Sequence, residues 1–211
     1  MILIKYSKKN GAEFIPHLDT LRHLGKTVRR TGFPIKYSQG FNPHMLIFMS
    51  SPIALGLKSE SELCLFDCDV NAEEFKRVFN ENSPKGIRCV EAYEVDKKVK
   101  IVADVTSAIY EIKNIPFFNV EDILSSDEFT VFDKRAEEEK NVRDRIKNLY
   151  FEGDTLYAEL LFGNLTLRPD YLVEKLQKLY GGEHPTVLKK DVRFLNGLNL
   201  EEYLKAQPKQ N

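Results

Sequence analysis

The order of alternating and helical stretches predicts an α+β fold made of two tandem ferredoxin-like units, each βαββαβ with an antiparallel sheet, over residues 1–96 and 97–211. Three observations carry this expectation. The first half reads strand, helix, strand, strand, helix, strand; the second half repeats that order without visible sequence identity; and the stretch Asp96-Lys97-Lys98 reads as a connector between them.

In the first half, Ile2 to Tyr6 alternates as a strand does, and Asn10-Gly11 supplies a turn. From Asp19 the period becomes helical, with Leu18, Leu21, Gly25 and Val28 on one face and Gly32 as the stop. Gly25 on that face implies close packing against a sheet. Met45 to Met49 and Leu63 to Val70 read as strands joined by the loop SSPIALGLKSES. Asn71 caps a helix, with Glu74 in capping-box position and Phe75, Val78 and Phe79 as its buried stripe; Ile87 to Val95 closes the unit as a strand.

In the second half the strands are Thr106 to Lys113, Phe129 to Phe132, a hairpin of Ile146 to Phe151 with Leu156 to Phe162 around Glu152-Gly153-Asp154, and Val187 to Phe194. Val120 to Ser125 reads as a short helix and Arg135 to Lys140 as a solvated charged loop. A helix begins near Pro169, carries Tyr171, Leu172, Leu176 and Leu179, and stops at Gly181-Gly182.

With 211 residues, 42% hydrophobic and 30% charged, the chain is long enough for one moderate or two small packed domains. No apolar run approaches the roughly 20 residues of a membrane-spanning helix, and the start MILIKYSKK lacks the order of a secretory signal, so the expectation is a cytoplasmic protein with no membrane partner. Three cysteines without framework spacing read as reduced, buried thiols. Cys64 and Cys68 on one strand would stand about 13 Å apart, too far to share a metal, and position 71, where a third cysteine of an iron-sulfur motif would fall, is Asn71. Neither a metal nor a cofactor is expected.

The net charge of -1 hides an asymmetry: residues 1–60 hold nine Lys/Arg against three acids, which is +6, so residues 61–211 sum to -7. A basic segment on an otherwise acidic chain points to an anionic partner or to neutralisation within the chain. On the first helix, Arg22, Lys26, Arg29 and Arg30 form a basic face.

The stretch that follows, YSQGFNPHM, displays Tyr37, Gln39, Phe41, Asn42 and His44, with Gly40 permitting a positive backbone angle and Pro43 holding Asn42 extended. Tyr37 and Phe41 are suited to stacking on bases while Gln39 and Asn42 bond their edges; the alternative is a packed turn with Phe41 in the core. His17 and His44 are candidates for an acid-base pair oriented by Asp19, with Arg22 or Arg30 stabilising a phosphorane; equally, His17 is placed to cap the helix and anchor the junction with Asp19. The loop with Gly56, Ser59, Glu60 and Glu62 reads either as a phosphate cradle or as a plain connection, and the two carboxylates count against phosphate. Neither a Walker motif nor GxGxxG is present, which disfavours nucleotide hydrolysis.

The segment running from Lys5 to Glu62 resembles the radical-SAM-associated family known as domain of unknown function 2344. The features that carry it are the KYSK start, F-I-x-H-L-D, the paired arginines before Gly-x-Pro, Q-G-F-N-P-H and G-x-x-S-E-x-E. The resemblance implies a stand-alone relative of a module otherwise fused behind a radical SAM enzyme with a cobalamin-binding region, often encoded near ribonuclease and ribosomal-protein genes. It implies such an enzyme, as a separate chain, for a partner. The tandem units are also similar in outline to CRISPR repeat-processing endoribonucleases, a fold-level analogy.

The resulting expectation is an accessory RNA-binding protein linked to RNA modification or ribosome-related processing. In it Arg22, Lys26, Arg29 and Arg30 hold phosphates, and Tyr37, Gln39, Phe41, Asn42 and His44 read unpaired bases. The alternatives are a module that docks the radical SAM enzyme without touching RNA, and a metal-free endoribonuclease.

Overall fold

The structure, a computed structural model, describes residues 1–96, 99–101, 103–134, 136–163 and 166–207. The chain forms a mixed α+β architecture of antiparallel strands and helices in two compact units, Met1–Asp104 and Val105–Asn211. Lys97 and Lys98 of the expected connector, and Arg135 of the expected charged loop, lie outside the described residues.

Unit 1 runs β1 (Ile2–Lys8), α1 (His17–Thr31), β2 (Ile47–Met49), β3 (Lys58–Phe66), α2 (Ala72–Asn82) and β4 (Ile87–Glu94). Its strands lie in the order β4-β1-β3-β2, every neighbour antiparallel. Alternation sends Ile2, Ile4 and Tyr6 of β1 and Cys64 and Phe66 of β3 to one face, where Leu24 and Val28 of α1 and Phe75 and Phe79 of α2 cover them. Phe66, Phe75 and Phe79 sit with ring centroids 5.3 to 6.4 Å apart. Each such fully buried side chain stabilises the unit by roughly 1.5–3 kcal/mol before chain entropy is counted.

Helix α1 starts two residues earlier than the apolar period suggests, because extended Pro16 caps it and its carbonyl accepts the Thr20 amide at 2.8 Å. Its buried stripe is Thr20, Leu24, Thr27 and Val28, whereas Leu18, expected on that face, is 63% exposed. Burial of Thr20 is tolerated because its hydroxyl donates to the Pro16 carbonyl at 3.1 Å. Gly32, at φ 75°, ends the helix.

Strand β3 begins at Lys58, so Lys58 to Glu62 belong to the sheet and not to the preceding loop. Asn71 caps α2 through its Oδ1, which accepts the amides of Glu73 and Glu74; the reciprocal carboxylate is that of Glu94, which accepts the Ala72 amide at 3.1 Å. Gly86 lets the start of β4 press on the turn after β1: a β-carbon there would lie 2.5 Å from the Lys9 carbonyl oxygen.

Unit 2 runs β5 (Val105–Lys113), α3 (Glu121–Leu124), β6 (Thr130–Asp133), β7 (Glu138–Asn141), β8 (Ile146–Glu152), β9 (Thr155–Leu161), α4 (Pro169–Tyr180), β10 (Thr186–Phe194) and α5 (Leu200–Ala206). The main strands lie β10-β5-β9-β8, again antiparallel throughout. Glu138 to Lys140, expected in a solvated charged loop, instead lie in β7, paired with β6 in a separate ribbon, and Lys140 bonds Asp133 at 2.7 Å. Helix α4 buries Pro169, Leu172, Val173 and Leu176, while Leu179 is exposed. Helix α5, absent from the element list read from sequence, carries a capping box between Asn199 and Glu202.

Candidate functional site

The stretch 37–45 is a hairpin with a fastened stem and a displayed tip. Tyr37 and Met45 pair as an antiparallel bridge. The Ser38 amide donates to the His44 carbonyl at 2.8 Å, and the Ser38 hydroxyl bonds His44 Nδ1 at 2.8 Å and accepts the His44 amide at 3.1 Å. Below the stem, the Lys36 amide donates to the Asp67 carbonyl and the Lys36 ammonium pairs with the Asp67 carboxylate at 3.1 Å, tying the hairpin to the end of β3. Gly40 turns the tip at φ 123°. Gln39, Phe41, Asn42, Pro43 and His44 are all exposed, and Phe41 is exposed completely, so it is no core residue.

The hairpin base is seated on α1. A β-carbon at Gly25 would lie 3.6 Å from Ile47 Cδ1 and 3.8 Å from Met45 Sδ. Lys26 follows Gly25 directly, and Arg22 and Arg29 lie about one turn before and one turn after it, so the helix that seats the hairpin base also carries the basic face.

That face divides into anchored and free cations. Arg22 pairs with Asp19 at 2.7 Å in the open, an i,i+3 contact of little energetic weight. Arg30 donates to the Asn82 carbonyl at 2.6 Å and to Thr27 Oγ1 at 3.2 Å, tying the end of α1 to the end of α2. Lys26 and Arg29 are exposed and make no ion pair among the described residues, and the same holds for Lys58 on β3. The remaining cations of the basic segment are engaged within the unit: Lys5 with Glu91, Lys9 with Glu60, Lys36 with Asp67, and buried Lys8 with the Ile15 carbonyl at 2.6 Å. Two of these pairs bring in carboxylates from outside residues 1–60, Glu91 and Asp67, so the segment keeps most of its positive excess.

The loop after β2 points its polar groups inward. The amides of Ser50, Ile53 and Gly56 donate to the Leu63 carbonyl, the Glu62 carboxylate and the Glu13 carbonyl, and Ser59 donates to Glu62 at 2.7 Å. Amides already committed in this way form no phosphate cradle; Gly56, Ser59 and Glu62 clamp the loop, and Glu60 holds Lys9. Burial lowers the Lys8 pKa, countered by the nearby Glu62 and Glu13 carboxylates, and burial beside Glu62 drives that of Tyr6 well up.

His17 opens α1 and its Nδ1 is buried without a hydrogen-bond partner, while no side chain caps the helix. It lies about 12 Å of helix rise from Gly25, where Met45, the residue after His44, docks. Cys64, Cys68 and Cys89 are free and buried, and burial pushes their thiols up, to about 11 for Cys68 and about 12 for Cys89. Among the described residues no group of His, Cys, Asp or Glu is placed to hold a metal ion, and no helix is long and apolar enough to cross a membrane.

Sequence reasoning missed two apolar features of unit 1. Phe14, Leu18 and Leu55 are exposed, with the Phe14 ring lying against Gly56. A groove of about 450 Å³ is lined by Met1, Phe48, Leu65, Val99 and Ile101. Phe48 lies in a stretch read as a short apolar strand and Leu55 in the loop that follows it, and periodicity carries no signal of which of these side chains is exposed.

Residues 1–170 match the family model described as "Uncharacterized protein conserved in bacteria (DUF2344)", and the chain belongs to that family. Among curated proteins no significant match is found.

Proposed function

From this family membership, we propose that the chain is an accessory RNA-binding protein that presents unpaired nucleotides to a separate radical SAM enzyme of the cobalamin type, in the cytoplasm, within RNA modification or ribosome-related processing. The observation that carries the RNA reading is Phe41, completely exposed at the tip of a fastened hairpin whose base is seated on α1 beside free Lys26 and Arg29. An aromatic ring held out by a rigid stem loses little entropy on stacking against a base, and the neighbouring cations meet the backbone phosphates. Gln39, Asn42 and His44 supply donors and acceptors for base edges. The partner enzyme rests on the family resemblance alone. The tandem ferredoxin-like reading belongs to the same proposal, supported by the equivalent strand orders β4-β1-β3-β2 and β10-β5-β9-β8; unit 2 departs from unit 1 by the inserted β6-β7 ribbon and the added α5.

The test is fluorescence anisotropy with one labelled RNA, single-stranded or annealed to its complement. The proposal expects the single strand to bind tighter and Phe41→Ala to erase the difference. Equal affinity for both forms, or no binding at low salt, sinks it.

The apolar groove at Phe48 favours a second reading, in which unit 1 docks the partner enzyme directly and no RNA is contacted. Copurification of that enzyme after nuclease treatment, lost in Phe48→Asp, would support it.

A further inference from the structure

Unit 2 carries a cleft of about 710 Å³, within the range of small-ligand sites, that the RNA reading does not use. Two aromatic rings, Phe117 and Phe151, form part of its lining, their centroids 5.0 Å apart and their planes at 44°. Phe151 is buttressed edge-on by Phe118, which stacks on Tyr180 at 4.2 Å, so one ring of the pair is fixed from behind. Phe117 is 80% exposed, an apolar ring left in water at the cleft.

The unpaired charges that line this cleft have one sign. Asp154, in the turn between β8 and β9, and Glu183, before β10, both line the cleft, are exposed and make no ion pair among the described residues. Lys113 on the same wall is already paired with Glu111 at 3.1 Å. A polyanion such as RNA would meet two uncompensated carboxylates here. A cation would meet two carboxylates and the exposed aromatic ring of Phe117 backed by Phe151. Between the common organic cations, guanidinium fits better than ammonium, because it is planar, weakly hydrated, stacks on aromatic rings and donates in pairs to a carboxylate.

We infer that this cleft binds an arginine side chain presented by a basic partner polypeptide, with the guanidinium against Phe117 and Phe151 and its N–H groups directed to Asp154 and Glu183. The inference rests on unit 2 alone and stands whether or not the hairpin of unit 1 binds RNA.

The test is a titration of the ¹⁵N-labelled full chain with acetyl-Gly-Arg-Gly-amide, with the same peptide carrying citrulline, and with cytidine as a nucleobase probe. The expected result is saturable shifts of the Gly153, Thr155 and Gly182 amides with the arginine peptide. Citrulline, which keeps the shape and removes the charge, should bind about tenfold more weakly or worse, as should the arginine peptide to an Asp154→Asn, Glu183→Gln double variant. Both substitutions are at exposed positions, and Phe117→Ala, also exposed, tests the ring separately. Equal shifts with citrulline, tighter binding of cytidine, or no shift with any probe would overturn the inference.

Discussion

Met45 Sδ packs 3.8 Å from where a β-carbon on Gly25 would stand, so the displayed hairpin has a fixed seat on α1 beside the two free cations of that helix. The contact fixes the hairpin base against the helix that carries the basic face, and it makes position 25 a sensitive probe of the account. Gly25→Ala meets only ordinary van der Waals distances and gains helix propensity, so it should stabilise the protein by up to about 1 kcal/mol in urea denaturation. Gly25→Leu has no room beside Ile47 and Met45 and should destabilise it while weakening RNA binding.

Arg29 and Arg30 are adjacent and should behave differently. Arg30→Ala removes the tie to the Asn82 carbonyl and should cost about 1 kcal/mol of stability. Arg29→Ala removes no ion pair or hydrogen bond among the described residues, should leave stability within about 0.5 kcal/mol of wild type, and should reduce RNA affinity.

Phe41→Ala should be silent in thermal denaturation, because the ring is buried against nothing, yet should weaken single-strand binding by about 1–3 kcal/mol, the usual range for a base stacked on an aromatic ring. A loss of stability equal to the loss of affinity would mean that the ring packs in solution.

Unit 1 should lose stability in alkali. The ordinary thiol value is 9.0, and burial raises Cys68 to about 11 and Cys89 to about 12, with Cys64 raised as well. The folded state therefore holds protons that the unfolded chain releases. The stability these thiols contribute is complete below about pH 9 and is lost as pH rises towards their folded values. Tyr6, raised by burial above its ordinary 10.0, adds to the decline at higher pH. Lys8 acts in the opposite sense, its pKa lowered by burial, with a contribution complete only above 10.5. Urea midpoints measured from pH 7.5 to 11 should fall, and Cys89→Ala should make the fall shallower.

The element order was legible because the buried positions of α2, β4 and β9 are held by apolar side chains. It failed where polar side chains are buried or charged ones are paired. Thr20 and Thr27 occupy the inner face of α1, so the stripe drawn through Leu18 was rotated outward. Ser59, Ser61 and Glu62 are buried in β3 and read as a polar loop, since their hydrogen bonds are invisible in composition. Glu138 to Lys140 read as a solvated loop although strand pairing and the Asp133–Lys140 contact hold them. At the candidate site, Gly40 and Pro43 signalled a shaped loop, but which arginine is free and which is structural depended on the end of α2, far along the chain.

The most direct test of the central claim is the salt dependence of single-stranded RNA binding for wild type, Lys26→Ala/Arg29→Ala and Arg30→Ala. If the free cations hold phosphates, the double variant should flatten the slope of log K against log salt by about 1.4, two contacts at roughly 0.7 each, while Arg30→Ala leaves the slope unchanged. An unaltered slope in the double variant would contradict the account.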